Sequence, residues 1–264
     1  MKKLLAMVMC VCLAAMFTAC GKSKDQTDSE YVKEKGKLVI GITDYAPMDY
    51  EKTKGSGEWI GFDADMAKAF AKELGVEAEF VVIEWDNKIM ELKGKSIDCV
   101  WNGMTITDEV KNGMEVSNAY CKNTQVVVVK KDVADKYKTV ESVKDLKFAA
   151  EAGSAGEEAL KALNYNVTAV TAQVDALMEV NAGTSDAAVI DLLMAGAMVG
   201  EGTSYENLAY TVGVAEEEDY GVGFRKGSDL TEKLNQFFKD SYSDGSMLET
   251  AKTYGVQESI IEQK

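Results

Sequence analysis

Asp98–Cys121, DCVWNGMTITDEVKNGMEVSNAYC, holds an apolar run, a glycine turn, a threonine pair and then an acid-led helical pattern. It reads as strand, turn and helix start, a geometry that leaves backbone N–H groups free to face a ligand. Thr105 can cap the helix with its hydroxyl. Asp108, three residues on, completes a capping-box spacing and complements the positive end of the helix dipole. The same spacing equally serves a plain capped helix with no ligand.

On the N-terminal side, Lys37–Ile42 is a buried-strand run ended by Thr43, Asp44 and the only proline, Pro47. Phe62, Met66, Phe70 and Leu74 then recur at helical spacing, with Asp63 able to cap and Gly75 closing the end. A strand at Glu79–Ile83 and a short helix around Asn87–Leu92 complete the approach. On the C-terminal side a valine run, Val126–Lys130, opens a second cycle. Strands at Phe148–Glu151, Val167–Val170 and Ala187–Ile190 alternate there with helices from Gly153, Val174 and Asp191. Tyr220–Phe224 is a further β-run before a helical pattern over Leu230–Tyr242. Such alternation predicts α/β architecture with mostly parallel sheets, in two units between which the chain crosses twice. Ligands of such sheets sit at the carboxyl ends of strands, here in the cleft between the units. Ser154 and Glu157 form another capping-box spacing with a purely structural reading.

Composition narrows the function. The 264 residues are 46% hydrophobic with a formal charge of −15. Residues 1–19 hold two lysines and no acid, so the remainder carries −17. So acidic a chain repels nucleic acid and anionic lipid, and a monomer is expected. There is no histidine, which removes the usual general base and every Ser-His-Asp arrangement. Catalysis is not excluded by this, but its cheapest routes are.

Lys2 and Lys3 precede an uncharged, mostly apolar run, Leu4–Ala19, too short for a comfortable membrane span. Thr18 and Ala19 lead into Cys20. This resembles the lipobox of bacterial lipoproteins, with Phe17 where leucine is usual. It implies a signal peptide over 1–19, lipidation of Cys20 and a flexible tether over 20–36; an ordinary secretory signal is the alternative. Whether Cys99 and Cys121 pair is left open by sequence.

Several segments, in order, carry a wider resemblance. They are Gly61-Phe62-Asp63-Ala64-Asp65, Trp85-Asp86, Asp98 followed by Gly103-Met104-Thr105-Ile106-Thr107, Asp145-Leu146, Gly153-Ser154, Ser185-Asp186-Ala187 leading to Asp191, and Tyr220-Gly221 before Arg225-Lys226-Gly227. From about Lys37 onward the chain resembles the family 3 extracellular solute-binding proteins of polar amino-acid ABC importers. The resemblance implies a type II periplasmic-binding-protein fold, two α/β lobes joined by two hinge strands. These fall near Gln125–Lys130 and Tyr220–Phe224, with lobe 1 over 37–125 and 225–264 and lobe 2 over 126–224. It also implies that Gly103 and Thr105 meet a ligand's α-carboxylate, that Asp191 pairs with its α-ammonium, and that Tyr45 and Trp85 flank it. Asp191 as a simple helix cap, and Tyr45 and Trp85 as core aromatics, are the alternatives.

Two departures bear on the ligand. Family members usually carry arginine five residues after the first threonine, a fork for the carboxylate; here that position is Val110, and Lys111 should point about 100° away. Two residues before Gly153 stands Glu151, where a polar neutral contact is common. Asp44, Glu151 and Asp191 then give the cleft three carboxylates without an arginine. A cationic ligand, a cleft lysine or retained protons must compensate. The candidate binding set is Asp44, Tyr45, Trp85, Gly103, Thr105, Glu151, Ser154 and Asp191. The expected role is the amino-acid-binding component of an ABC importer, anchored by lipid on the outer face of the cell membrane and partnered by permease and ATPase subunits; that role implies no metal, no cofactor and no catalytic residue. A binding protein for a cationic amine, or a ligand-sensing lipoprotein, is the alternative.

Overall fold

The computed structural model describes residues 26–264, so the expected signal peptide and Cys20 lie outside the described residues. Helix α1 (Asp28–Lys35) opens on a capping box between Thr27 and Glu30 and ends at Gly36 in the left-handed conformation. It replaces the second half of the expected tether with an ordered, docked element. Val32 is fully buried, Ser29 donates to Asp229, Arg225 donates to Asp28, and Lys35 Nζ lies 2.5 Å from Asp98. The charges of this polar stretch thus serve as ion pairs to the lobe.

Strand β1 (Lys37–Ile42) runs into the short antiparallel pair β2 (Tyr50–Glu51) and β3 (Trp59–Ile60). Helix α2 (Phe62–Leu74) buries Phe62, Met66 and Phe70 as its spacing requires, and Gly75 ends it at φ +76°. Strand β4 (Glu77–Val82), helix α3 (Lys88–Lys93) and strand β5 (Cys99–Thr105) follow, then helix α4 (Asp108–Gly113), β6 (Glu115–Val116) and β7 (Cys121–Asn123). The second lobe holds β8 (Gln125–Lys130), β9 (Lys147–Glu151), α5 (Ala155–Ala162), β10 (Asn166–Val170), α6 (Gln173–Ala182), β11 (Ala187–Asp191), α7 (Leu192–Met198) and β12 (Leu208–Gly213). The chain returns through β13 (Glu218–Phe224) and ends with α8 (Leu230–Ser243) and α9 (Ser246–Tyr254).

Two sheets result, ordered β4-β1-β5-β13-β6, with β7 on β13, and β10-β9-β11-β8-β12. The β1 pairings are parallel, whereas β13 runs antiparallel to β5 and β8 antiparallel to β11. The crossings differ from expectation. Gln125–Lys130 is a full member of the second sheet, paired on both edges, and Tyr220–Phe224 pairs with β5 in the first. The chain therefore crosses at Thr124 and again between Gly213 and Glu218, and by its sheet the second lobe spans 125–213 rather than 126–224. Continuous apolar runs mark strands buried on both faces, not connections.

Aromatic packing fills the first lobe. Trp101 meets Phe238 edge-on at 5.5 Å, with Phe70, Tyr120 and Phe237 around them. Val127, Val129, Phe148, Leu160 and Val189 build the second core. Cys99 and Cys121 are buried free thiols. Arg225 is spent between Asp28 and Asp98, away from the cleft.

Candidate functional site

The carboxyl ends of β5, β9 and β11 converge where the sheets face each other. They enclose a narrow cleft lined by Trp85, Lys88, Gly103, Thr105 and Val110 from lobe 1 and Gln125, Glu151, Ser154, Gln173 and Asp191 from lobe 2.

Gly103 lies in the left-handed region at φ +54°, and its amide donates to Asp63 Oδ2 at 2.7 Å. A Cβ there would sit 2.5 Å from the Tyr45 ring and 2.9 Å from that of Tyr220, so only glycine lets both tyrosines pack behind the strand. Thr105 ends β5 at the cleft wall without capping. The cap is Thr107, whose Oγ1 accepts from Val110 N at 3.2 Å, and α4 is only six residues long. The expected helix start is thus shifted by two residues, and its dipole is short. Val110 is buried in an apolar cluster with Trp85, Met104 and Met114, so no charge comes from that position. Lys111 is exposed.

Asp191 ends β11, and its side chain makes no bond to the first turn of α7. Instead Oδ1 accepts from Asn123 at 2.5 Å, Gln125 at 2.7 Å and Tyr220 at 2.7 Å, while Oδ2 accepts from Gln173. Burial pushes this carboxyl up and the donors hold it back. Asn123 and Gln125 also donate to Glu218 Oε1, whose carboxyl burial raises to about 7, so two acids share the amide donors at the lobe crossings.

Glu151 is 2% exposed, and its Oε1 has no hydrogen-bond partner among the described residues. Burial, then the Asp191 charge, push it up to about 8. Ser154 lines the cleft while capping α5 through Glu157 N at 3.1 Å. Glu157 accepts from Gly153 N instead of closing the box on Ser154. Lys88 is 4% exposed; its ammonium lies 3.0 Å from Gly153 O across the cleft, 3.3 Å from Trp85 O and 5.0 Å above the Trp85 ring centre.

Trp85, Gly103, Thr105, Glu151, Ser154 and Asp191 are thus brought together, and two expected residues are not. Asp44 is exposed and outside the cleft lining. Tyr45 is turned inward by its backbone pairing with Asp49 and is buried behind Gly103, its hydroxyl 2.7 Å from that of Tyr220. Lys88, Gln125, Gln173 and Glu218 were not foreseen. For Lys88 a signal existed: it stands three after Trp85 and four before Leu92, a charge on the apolar face of a short helix. Among the described residues no cluster of three or more metal-ligating side chains occurs, and no helix is long and apolar enough to cross a membrane.

The family model for bacterial extracellular solute-binding proteins, family 3, matches residues 38–257. The arginine-binding extracellular protein ArtP of Bacillus subtilis (strain 168) is 31% identical over 262 residues, covering 96% of this chain and 98% of that protein. The crystal structure of an ABC uptake transporter substrate-binding protein from Streptococcus pneumoniae with bound histidine superposes with a TM-score of 0.78 at 28% identity, over 86% of this chain and 96% of that one. The ancestral amino-acid-binding protein AncCDT-1, a precursor of cyclohexadienyl dehydratase, superposes with a TM-score of 0.77 at 32% identity, over 86% and 98%.

Proposed function

The chain belongs to the bacterial extracellular solute-binding proteins, family 3, and on that premise we propose that it captures a zwitterionic amino acid between its lobes and delivers it to the permease of an ABC importer. One observation carries the choice of ligand. Glu151, with its orphan Oε1, faces the cleft beside Asp191 on lobe 2, while the cleft-lining cation, Lys88, is carried by lobe 1. A ligand with an ammonium at one end and a carboxylate at the other satisfies both walls at once. Only contact with both lobes favours the closed state over the open one. A cationic amine lacking a carboxylate would satisfy the acids and leave its charge against Lys88. No reacting group is needed for capture, so the chain acts as a binding protein rather than an enzyme. The relatives' ligands, arginine and histidine, fit a cleft whose acids outnumber its cations.

Cys20 gives this protein a lipid anchor at the outer face of the membrane, with the chain from about residue 26 standing clear as a monomer. Two or three acyl chains are required for stable attachment, since one holds weakly.

The test is thermal melting of a soluble protein starting at Lys22, against the protein amino acids, cystine, polyamines and quaternary amines. Ligand at 100 times its Kd adds about 2.7 kcal/mol, a shift of several degrees. A shift with one or a few amino acids is expected; shifts confined to amines without a carboxylate would overturn the proposal.

A further inference from the structure

We infer that Lys88 is the carboxylate-binding residue of this cleft, doing from the start of α3 what an arginine at position 110 would do. The inference rests on the amino-acid reading above and names the residue that makes the cleft select zwitterions.

Among the described residues lining the cleft, Lys88 is the one cationic side chain. Arg225 is held by Asp28 and Asp98, and the six-residue α4 offers too short a dipole to hold an anion by itself. The Lys88 ammonium lies over the indole of Trp85 and reaches the Gly153 carbonyl of the opposite lobe. Of its three N–H groups two are taken, by the carbonyls of Trp85 and Gly153. Among the described residues no carboxylate lies within ion-pair distance, although Asp86, Glu109, Glu151 and Glu158 act on it at longer range. A buried ammonium held only by carbonyls lacks the partner that burial demands. Burial lowers its proton affinity accordingly, and Glu151, the buried acid among those around it, is itself pushed up to about 8. A ligand carboxylate beside Lys88 and a ligand ammonium beside Glu151 and Asp191 supply both missing charges. The same placement turns away a ligand that is cationic at both ends.

The test uses the soluble protein as wild type, Lys88→Met and Lys88→Arg. Methionine removes the charge while keeping a long, unbranched side chain at the site, and unliganded melting curves show that each variant folds. Each is titrated calorimetrically with the protein amino acids and cystine, and with the α-amide of whichever binds. The wild type is expected to bind the acid at least about 30-fold more tightly than its amide, Lys88→Met to lose about that factor for the acid alone, and Lys88→Arg to recover most of it. Acid binding that is unchanged or tighter in Lys88→Met would show that the lysine merely fills the cleft, and would overturn its role while leaving the amino-acid function standing. A wild type that binds none of the panel removes the function itself, and the role of Lys88 with it.

Discussion

Tyr220 and Asp191 tie the two lobes together: the phenol on β13 of the first sheet donates to Asp191 Oδ1 on β11 of the second at 2.7 Å. The Tyr45 hydroxyl lies 2.7 Å from that of Tyr220, and because the Tyr220 proton points at Asp191, Tyr45 is the donor between them. Burial raises both phenols well above the usual tyrosine range, so both keep their protons near neutrality and the chain of donors from Tyr45 through Tyr220 to Asp191 persists. It aims the carboxylate that the ligand ammonium is proposed to meet.

Tyr220→Phe removes one donor from Asp191 and strands the buried Tyr45 hydroxyl. An unsatisfied buried group costs about 1–3 kcal/mol, so the unliganded melting temperature should fall by several degrees. Calorimetry checks it. A variant that melts with the wild type would mean that water replaces the phenol.

Asp191→Asn puts an amide among four donors and removes the charge opposite the ligand ammonium. Amino-acid affinity should drop at least about 30-fold, from the loss of one partner of a buried charge pair. Titration calorimetry decides, and affinity within a factor of about two of wild type would move the ammonium site elsewhere.

Glu151 makes stability depend on pH in a stated direction. Its carboxyl is pushed from 4.5 to about 8, so between those values the folded chain keeps a proton that the unfolded chain has released. Folded protein then binds more protons than unfolded, and stability falls as pH rises through that window, with the loss complete above about 8. Glu151→Gln should melt like the wild type near pH 4.5 and higher than it near pH 8. Asp63 and Glu218, both raised to about 7, keep some slope in the variant. Parallel melting profiles for the two proteins across this range would reject the assignment. A ligand ammonium lowers Glu151 again, so binding near neutrality should release close to one proton, read from binding heats in buffers of different ionisation enthalpy.

Much of this was legible in the sequence where one rule governed. The spacing of Phe62, Met66 and Phe70 predicts α2 because burial on one face is all that helix needs. Glu151 is legible as the acid ending the Phe148–Glu151 strand, and Asp191 as the acid opening the helix after Ala187–Ile190. What was not legible depends on partners far along the chain. Lys35 and Asp28 read as solvated charges until Asp98 and Arg225 stand beside them. Tyr45 reads as a cleft aromatic until Gly103 opens a place behind the strand. Asp44 stands two residues past the end of β1, yet a shift of one residue decides whether a side chain at a strand end faces the cleft or solvent. Lys88 hides because a lysine in an amphipathic helix is ordinarily solvated.

Gly153 is where closure is most exposed to a single atom. It sits at φ +68° on lobe 2, and a Cβ there would lie 2.7 Å from Asp86 Oδ1 and 2.9 Å from Asp86 Cα on lobe 1. The second of those is backbone and cannot swing aside, so in Gly153→Ala the lobes cannot approach as closely, and the Lys88 bond to the Gly153 carbonyl lengthens with them. The left-handed conformation adds about 1–2 kcal/mol of strain in the unliganded protein whether or not it closes. Two effects then separate by measurement. Strain alone lowers the melting temperature and leaves the ligand affinity and solution radius of gyration alone. Blocked closure weakens binding and leaves the ligand-saturated protein with a larger radius of gyration than the wild type. Small-angle scattering at saturating amino acid should show the second pattern. Identical scattering from variant and wild type would mean that Asp86 gives way and that the cleft closes without the contact at Gly153.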